Sequence, residues 1–437
     1  QSPVTSHQSP VTSHQSPVTS YQPPVASYQS PVTSRPSSLP MSQRQLKAGY
    51  FTLEGLNAFA TSYYFFYLFF FMEKQFQFSN KENLFLAAVN GFVYMSSAWF
   101  GGRFAQKHGY FVSLRLGFTI LTLTMALGSF VGTVTGQFML MMIWTFGMCF
   151  TWPTLEALAS EKESPAGLQQ MIGIYNLVWS GVSALAYFTG GAMLEKLGLR
   201  SIFWVPMGLH LLQLGLVSYL ERQATTAAEN PNPPLVSPVA PPPLNPRPIA
   251  KAKTFLRMAW LANPFAYVAI NTVVAVIPGL ARKFDLSPML AGFFCSIWFF
   301  ARLGTFLWLW LWTGWHYRFR WFVSAYLLLI AGFATILLVP RLWMVLLAQV
   351  GFGIAVGLIY YSSLFYSMDV GEAKSEHGGL HESALGVGIF AGPAVGASAL
   401  HFLPNHPQSG AWGVSALLLL GFFGLLGVRL KSRPGKG

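Results

Sequence analysis

The chain has 437 residues, of which 53% are hydrophobic and only 9% charged, against ~25% charged in an ordinary soluble domain. So little charge cannot cover a water-soluble surface of this size, which excludes a typical soluble enzyme and points to an all-α polytopic membrane protein. The net charge of +13 is scattered between apolar segments, so it reads as a determinant of topology rather than a nucleic-acid surface.

Residues 1–40 open with a repeated heptapeptide: QSPVTSH, QSPVTSH, QSPVTSY, QPPVASY and QSPVTSR. Each copy holds one apolar residue where a coiled coil needs two, and the tract cannot bury enough to offset its ordering entropy. It is expected to be a disordered tail, with a Ser/Thr-rich interaction or modification segment as the alternative. It has neither the basic start nor the continuous apolar core of a signal peptide. Met41 begins a more ordinary membrane-protein start, and removal of residues 1–40 is expected to leave membrane insertion and activity intact.

A membrane span needs roughly 20 apolar residues. Twelve such stretches follow: 48–72, 83–102, 111–132, 136–158, 169–192, 201–220, 257–279, 289–312, 321–339, 342–367, 383–402 and 411–430. The one long connection, within residues 221–256, contains NPNPPLVSPVAPPPLNPRP and reads as a proline-stiffened linker. It divides the membrane part into residues 41–220 and 257–430, six spans each, with a basic tail at 431–437. Lys74, Lys81, Lys196, Arg200, Arg282, Lys283 and Arg341 fall on one side of these spans. Eighteen other Lys and Arg, among them Arg44, Lys47, Arg103, Lys107 and Arg115, fall on the opposite side. The bias puts both termini in the cytoplasm of a cell whose inner membrane the chain crosses.

Six plus six spans around a long cytoplasmic linker resembles the major facilitator superfamily, over about residues 48–430. The family's loop between spans two and three commonly reads G-x-x-x-D-R-x-G-R-R. Here it reads Gly102, Arg103, Phe104, Ala105, Gln106, Lys107, His108, Gly109, Tyr110, Phe111. Two glycines and one basic residue keep the family spacing, Gln106 takes the acidic position, and Tyr110 and Phe111 replace the trailing basic pair. Gly379, Gly388, Gly392, Pro393 and Gly396 resemble the glycine–proline pattern of span five of the family's antiporters, displaced into span eleven. Small residues four apart permit close helix crossing and proline permits a bend, so packing is the first reading of this pattern. The resemblance implies two pseudo-symmetric six-helix bundles, a central cavity lined by spans one, four, seven and ten, and alternating access.

Polar residues at membrane depth are costly and mark function by default. Glu54 and Asn57 lie one helical turn apart in span one, Trp152 and Glu156 near the inner end of span four, and Arg302 in span eight. A carboxyl group in a low-dielectric site can load and release a proton near neutral pH, so Glu54 and then Glu156 are the candidates for proton coupling. Two other readings stand beside that one. Glu54 can form a structural bridge with Lys47 or Arg302, and Glu156 can snorkel or pair with Lys162. On the spans implied to line the cavity, Asn57, Trp144, Trp152, Asn263, Tyr267, Asn271, Gln349, Tyr360 and Tyr361 are substrate-binding candidates. Asn176 and Trp179 of span five and Arg302 approach from neighbouring helices. A gate is expected where Arg103, Lys107 and Gly109 meet His381 and Glu382 at the start of span eleven. There Glu382 would supply the carboxylate that the loop lacks; helix capping is the plainer role for Glu382.

No hydrolase elbow, phosphate loop or metal-ligand cluster is present in the sequence, Cys149 and Cys295 lie within apolar runs, and no cofactor is expected. The expected function is secondary active transport of a small organic solute, coupled to protons as in a symporter. The expected setting is the lipid bilayer, as a monomer with no nucleic-acid partner. Two rivals are an uncoupled facilitator or multidrug exporter, and a non-transporting sensor or scaffold on the same fold.

Overall fold

The computed structural model describes residues 41–161, 163, 165–229, 249–369 and 375–431. The heptapeptide tail, most of the proline-rich linker, Lys162 and the last six residues lie outside them.

Fourteen helices are present among the described residues. They are α1 (Gln43–Phe76), α2 (Asn80–His108), α3 (Tyr110–Gly128), α4 (Val134–Met148), α5 (Trp152–Ser160), α6 (Pro165–Leu197) and α7 (Ser201–Glu229), then α8 (Ile249–Lys283), α9 (Pro288–Cys295), α10 (Ile297–Leu311), α11 (Phe319–Leu338), α12 (Leu342–Asp369), α13 (Ser375–Phe402) and α14 (Ser409–Lys431). Eleven segments are long and apolar enough to cross a membrane. The long helix α1 is not among them. Its tyrosines, serines and threonines, with Glu54 and Asn57, lower its hydropathy, and all of that polar set except the exposed Thr52 is buried within the protein.

Local chemistry sets the helix ends. Ser42 with Gln45 and Ser79 with Glu82 form capping boxes that satisfy the first amides of α1 and α2. Ser287 caps α9, and Pro288 follows at a position where a missing amide hydrogen costs nothing. Between α2 and α3 the backbone turns at Gly109 with φ of 91°, a conformation that only glycine adopts without strain. The expected fourth span is interrupted: α4 stops at Met148 and α5 starts at Trp152. Pro153 has no amide hydrogen to give the Cys149 carbonyl, so the ladder breaks there. A second interruption separates α9 from α10 at Ser296.

Close backbone approaches hold the bundle together. A Cβ at Gly91 of α2 would lie 2.3 Å from the Phe390 amide nitrogen of α13, and one at Gly101 would lie 2.1 Å from the Cys149 carbonyl oxygen. Gly388 and Gly392 of α13 press as closely on the Pro264 and Val268 carbonyls of α8. The glycine–proline pattern therefore builds a tight crossing, with Pro393 inside the helix.

Candidate functional site

A cavity of about 180 Å³ lies between the helices that precede the linker and those that follow it. Helix α1 contributes Thr61, Ser62, Phe65 and Phe66; α2 contributes Asn90 and Tyr94; α4 and α5 contribute Trp144, Met148, Trp152 and Glu156. Helix α6 adds Tyr175 and Trp179. From the second half come Tyr267 and Asn271 of α8, Tyr360 of α12, and Glu382, Leu385 and Ile389 of α13.

Helical spacing explains much of this lining. Thr61, Ser62, Phe65 and Phe66 fall on one face at intervals of three and four, as do Tyr267 and Asn271. The rings form a continuous wall: Trp179 packs against Trp152 at 6.0 Å, Tyr360 at 5.7 Å and Phe306 at 6.2 Å between centroids. Trp144 packs against Tyr64 at 4.7 Å. The indole Nε1 of Trp144 is buried and has no hydrogen-bond partner in the protein. Asn90 accepts a 2.6 Å hydrogen bond from Thr145, and Asn271 donates to the Tyr267 carbonyl at 3.0 Å.

Three carboxyl groups meet here. Glu156 and Glu382 line the cavity, and the Tyr94 hydroxyl donates to Glu382. Glu54 lies behind the wall, 1% exposed, with Tyr175 and Glu156 as its electrostatic neighbours. Glu156 in turn feels Glu382. The ion pairs among the described residues are Lys47–Glu163, Lys81–Glu82, Arg115–Glu221 and Arg282–Glu73, and none involves these three carboxyls.

Arg302 of α10 is also buried, and it does not line the cavity. Its guanidinium carbon sits 4.5 Å from the Trp179 ring centroid, 4.3 Å from Phe299, 5.3 Å from Trp298 and 5.9 Å from Phe306. Its Nε and Nη2 make no hydrogen bond. Ring quadrupoles thus face the charge that an anion would otherwise face.

The model of the Major Facilitator Superfamily matches residues 55–393 of the chain. The chain belongs to this superfamily. Among solved structures, the nucleoside transporter NupG is similar with a TM-score of 0.63 at 14% identity, covering 88% of this chain and 99% of that one. A mutant of NupG gives 0.64. The human organic anion transporter MFSD10 (TETRAN) gives 0.60 at 16% identity, covering 88% of this chain and all of that one. No curated protein matches the chain in sequence. A superfamily chain of this kind is a membrane transporter and not an enzyme.

Within this superfamily fold the expected site residues fall in different places. Trp152, Glu156, Asn271 and Tyr360 line the cavity, together with Trp144, Trp179 and Tyr267. Glu54, Asn57, Asn176 and Arg302 lie behind it. Asn176 accepts from the Trp179 indole at 2.8 Å and so positions a wall residue. Asn57 is fully buried without side-chain hydrogen bonds. Asn263 donates to Ser363 at 3.0 Å and ties α8 to α12, and Tyr361 packs on Phe306 and Trp315. Gln349 is elsewhere: it lines a separate apolar hollow with Val273, Ile277, Leu280 and Val345.

The bridges considered for Glu54 do not form, because Lys47 pairs with Glu163 and Arg302 with rings. The expected gate contact is replaced as well. Glu382 reaches Tyr94 and faces the cavity, whereas Arg103 stacks on Trp99 at 4.0 Å. Lys107 stands in the last turn of α2, where a cation suits the helix dipole. His381 belongs to α13, and its side chain is outside the described residues. Thr61, Ser62, Asn90, Tyr94 and Tyr175 line the cavity without having been singled out by sequence. Singly, such residues are common in helices; the spacing of Thr61 and Ser62 against Phe65 and Phe66 is the signal they carried.

Proposed function

We propose that the chain is a secondary transporter that carries a small organic solute through twelve spans in two pseudo-symmetric halves by alternating access, driven by protons. The reading rests on one observation: a cavity lined from both halves, with Glu156 and Glu382 facing it and, among the described residues, no ion-pair partner for either. In this reading Glu156 is where solute and proton meet. Glu54, reached through Tyr175, is a second proton-holding group behind the wall. In α5 the interruption after Cys149 gives the segment carrying Glu156 freedom to move against α4. With both termini cytoplasmic, Glu73–Arg282 and the Glu195–Met289 contact close the outer face. The protein works as a monomer in the inner membrane.

The titratable groups around Glu156 are Glu54, Tyr175, Tyr267, Tyr360 and Glu382. A proton released from this set toward one side, and taken up from the other, is the coupling step. Proteoliposomes loaded with pyranine test it against a solute panel that includes nucleosides and organic anions, the cargo of the two structural neighbours. Solute-dependent proton movement is expected with a pH gradient and none in Glu156→Gln, which should still exchange solute across the membrane. Equal, gradient-independent flux in both proteins would establish a facilitator instead.

A further inference from the structure

The cavity wall carries acidic groups and a surface chemistry that together specify a ligand. Two carboxyl groups, Glu156 and Glu382, face the space, and a third, Glu54, stands behind it. Among the described residues, no lysine or arginine lines it. The nearest buried cation, Arg302, is held back by the faces of Trp179, Trp298, Phe299 and Phe306. Nine aromatic side chains share the wall with smaller polar and aliphatic ones, and indole and phenol faces present negative electrostatic potential to whatever they enclose.

A second observation is independent of the acids. Trp144 is 1% exposed, lines the cavity, and has an indole N–H with no partner in the protein. A buried donor left unpaired is destabilising, so a ligand that supplies an acceptor there gains what the empty protein lacks.

We infer that the cavity binds an organic cation: a protonated amine or quaternary ammonium group on an apolar, partly flat body that also carries a hydrogen-bond acceptor. Glu156 and Glu382 take the cationic end, the rings of Trp152, Trp179 and Tyr360 enclose it, and the Trp144 indole donates to the acceptor. A carboxylate or sulfonate ligand would meet these acidic groups with no lysine or arginine among the described lining residues to compensate. This inference names the substrate class of the transporter read above and rests on that reading only for what happens after binding.

The test is binding to the purified full-length chain in lipid nanodiscs, followed by thermal stabilisation and calorimetry. The probes are shape-matched: benzyltrimethylammonium against benzenesulfonate, and tetraphenylphosphonium against tetraphenylborate. Both cations should bind at least tenfold more tightly than their anionic counterparts. Glu156→Gln and Glu382→Gln should each weaken the cations at least tenfold, whereas Glu161→Gln, an exposed change outside the cavity, should not. Benzoylcholine, which carries a carbonyl acceptor, should weaken several-fold in Trp144→Phe while benzyltrimethylammonium is unaffected. Anions binding as tightly as cations, or cation affinity unchanged in both Glu variants, would overturn the inference. Binding needs no gradient and no flux, so the two readings fail separately. A chain that binds cations selectively yet moves none in proteoliposomes keeps this site and loses the transport reading. Proton-driven flux with charge-blind binding does the reverse.

Discussion

Arg302 shows how one side chain can be costly and still persist. It is buried, two of its nitrogens lack partners, and four rings surround its guanidinium. Removing such a charge for an apolar side chain of similar volume is often neutral or stabilising. Arg302→Met is therefore expected to melt at the same temperature as the parent or higher, while Arg302→Ala loses ~3 kcal/mol by leaving a hole. If the charge helps to shape the cavity through Trp179, solute affinity falls in Arg302→Met despite the intact fold. A melting curve and a binding isotherm on the same preparation check both halves of this. The sequence alone flagged Arg302 as needing a partner or water at membrane depth. It could not show that the partner is a cage of rings, because Trp179 comes from α6 and the other three from α10 itself. Gln349 lies away from the cavity for a related reason. Its polarity is visible in sequence, but its direction around α12 is set by packing against α8 and α9.

Among the helices, the crossing of α2 with α13 leaves no room for a side chain. Gly91 has no room for a side chain because the α13 backbone occupies that space, and no rotamer change can clear it. Gly91→Ala should destabilise the protein by ~1–3 kcal/mol, the usual cost of overpacking. Gly208 of α7 offers the opposite sign. It is exposed and a Cβ there meets nothing within 4 Å, so Gly208→Ala should gain up to ~1 kcal/mol from helix propensity. Thermal unfolding of the two variants beside the parent decides between equal effects and opposed ones. Helix existence was readable from apolar runs of spanning length, and the turn at Gly109 from its place in the loop between spans two and three. The interruption after Cys149 was signposted by Pro153 and passed over, because an apolar run through residues 136–158 reads as continuous when only hydropathy is followed. Helix α1 was readable for the converse reason: its length and its aromatic content outweighed a hydropathy lowered by groups that face the protein rather than lipid.

Taken together, the two halves are fastened at one end by a small set of polar contacts. Arg282 of α8 pairs with Glu73 of α1 at 2.8 Å, and Glu195 at the end of α6 accepts from the Met289 amide at the start of α9 at 2.9 Å. Arg282 is 60% exposed, and exposed pairs contribute only ~0–1 kcal/mol. A latch this weak still shifts a nearly balanced two-state equilibrium several-fold. Glu73→Gln should raise the fraction of molecules open at that end by up to about fivefold, consistent with such a term. The change is measurable as a longer spin–spin distance between labels near residues 75 and 284. Glu195→Gln should have little effect, since the amide oxygen can still accept, while Glu195→Ala should act like Glu73→Gln. An unchanged distance distribution in both Glu73→Gln and Glu195→Ala would mean that apolar packing alone closes this end.

The two cysteines acquire a use from where the helices are interrupted. Cys149 follows the last residue of α4 and Cys295 is the last residue of α9, and both thiols are buried. Spin or dye labels can therefore be placed on introduced surface cysteines with little background from the native pair. Slow modification of the native thiols by a small methanethiosulfonate would then act as a clock. Its rate counts how often each interruption opens, read separately in each half of a molecule carrying no foreign probe.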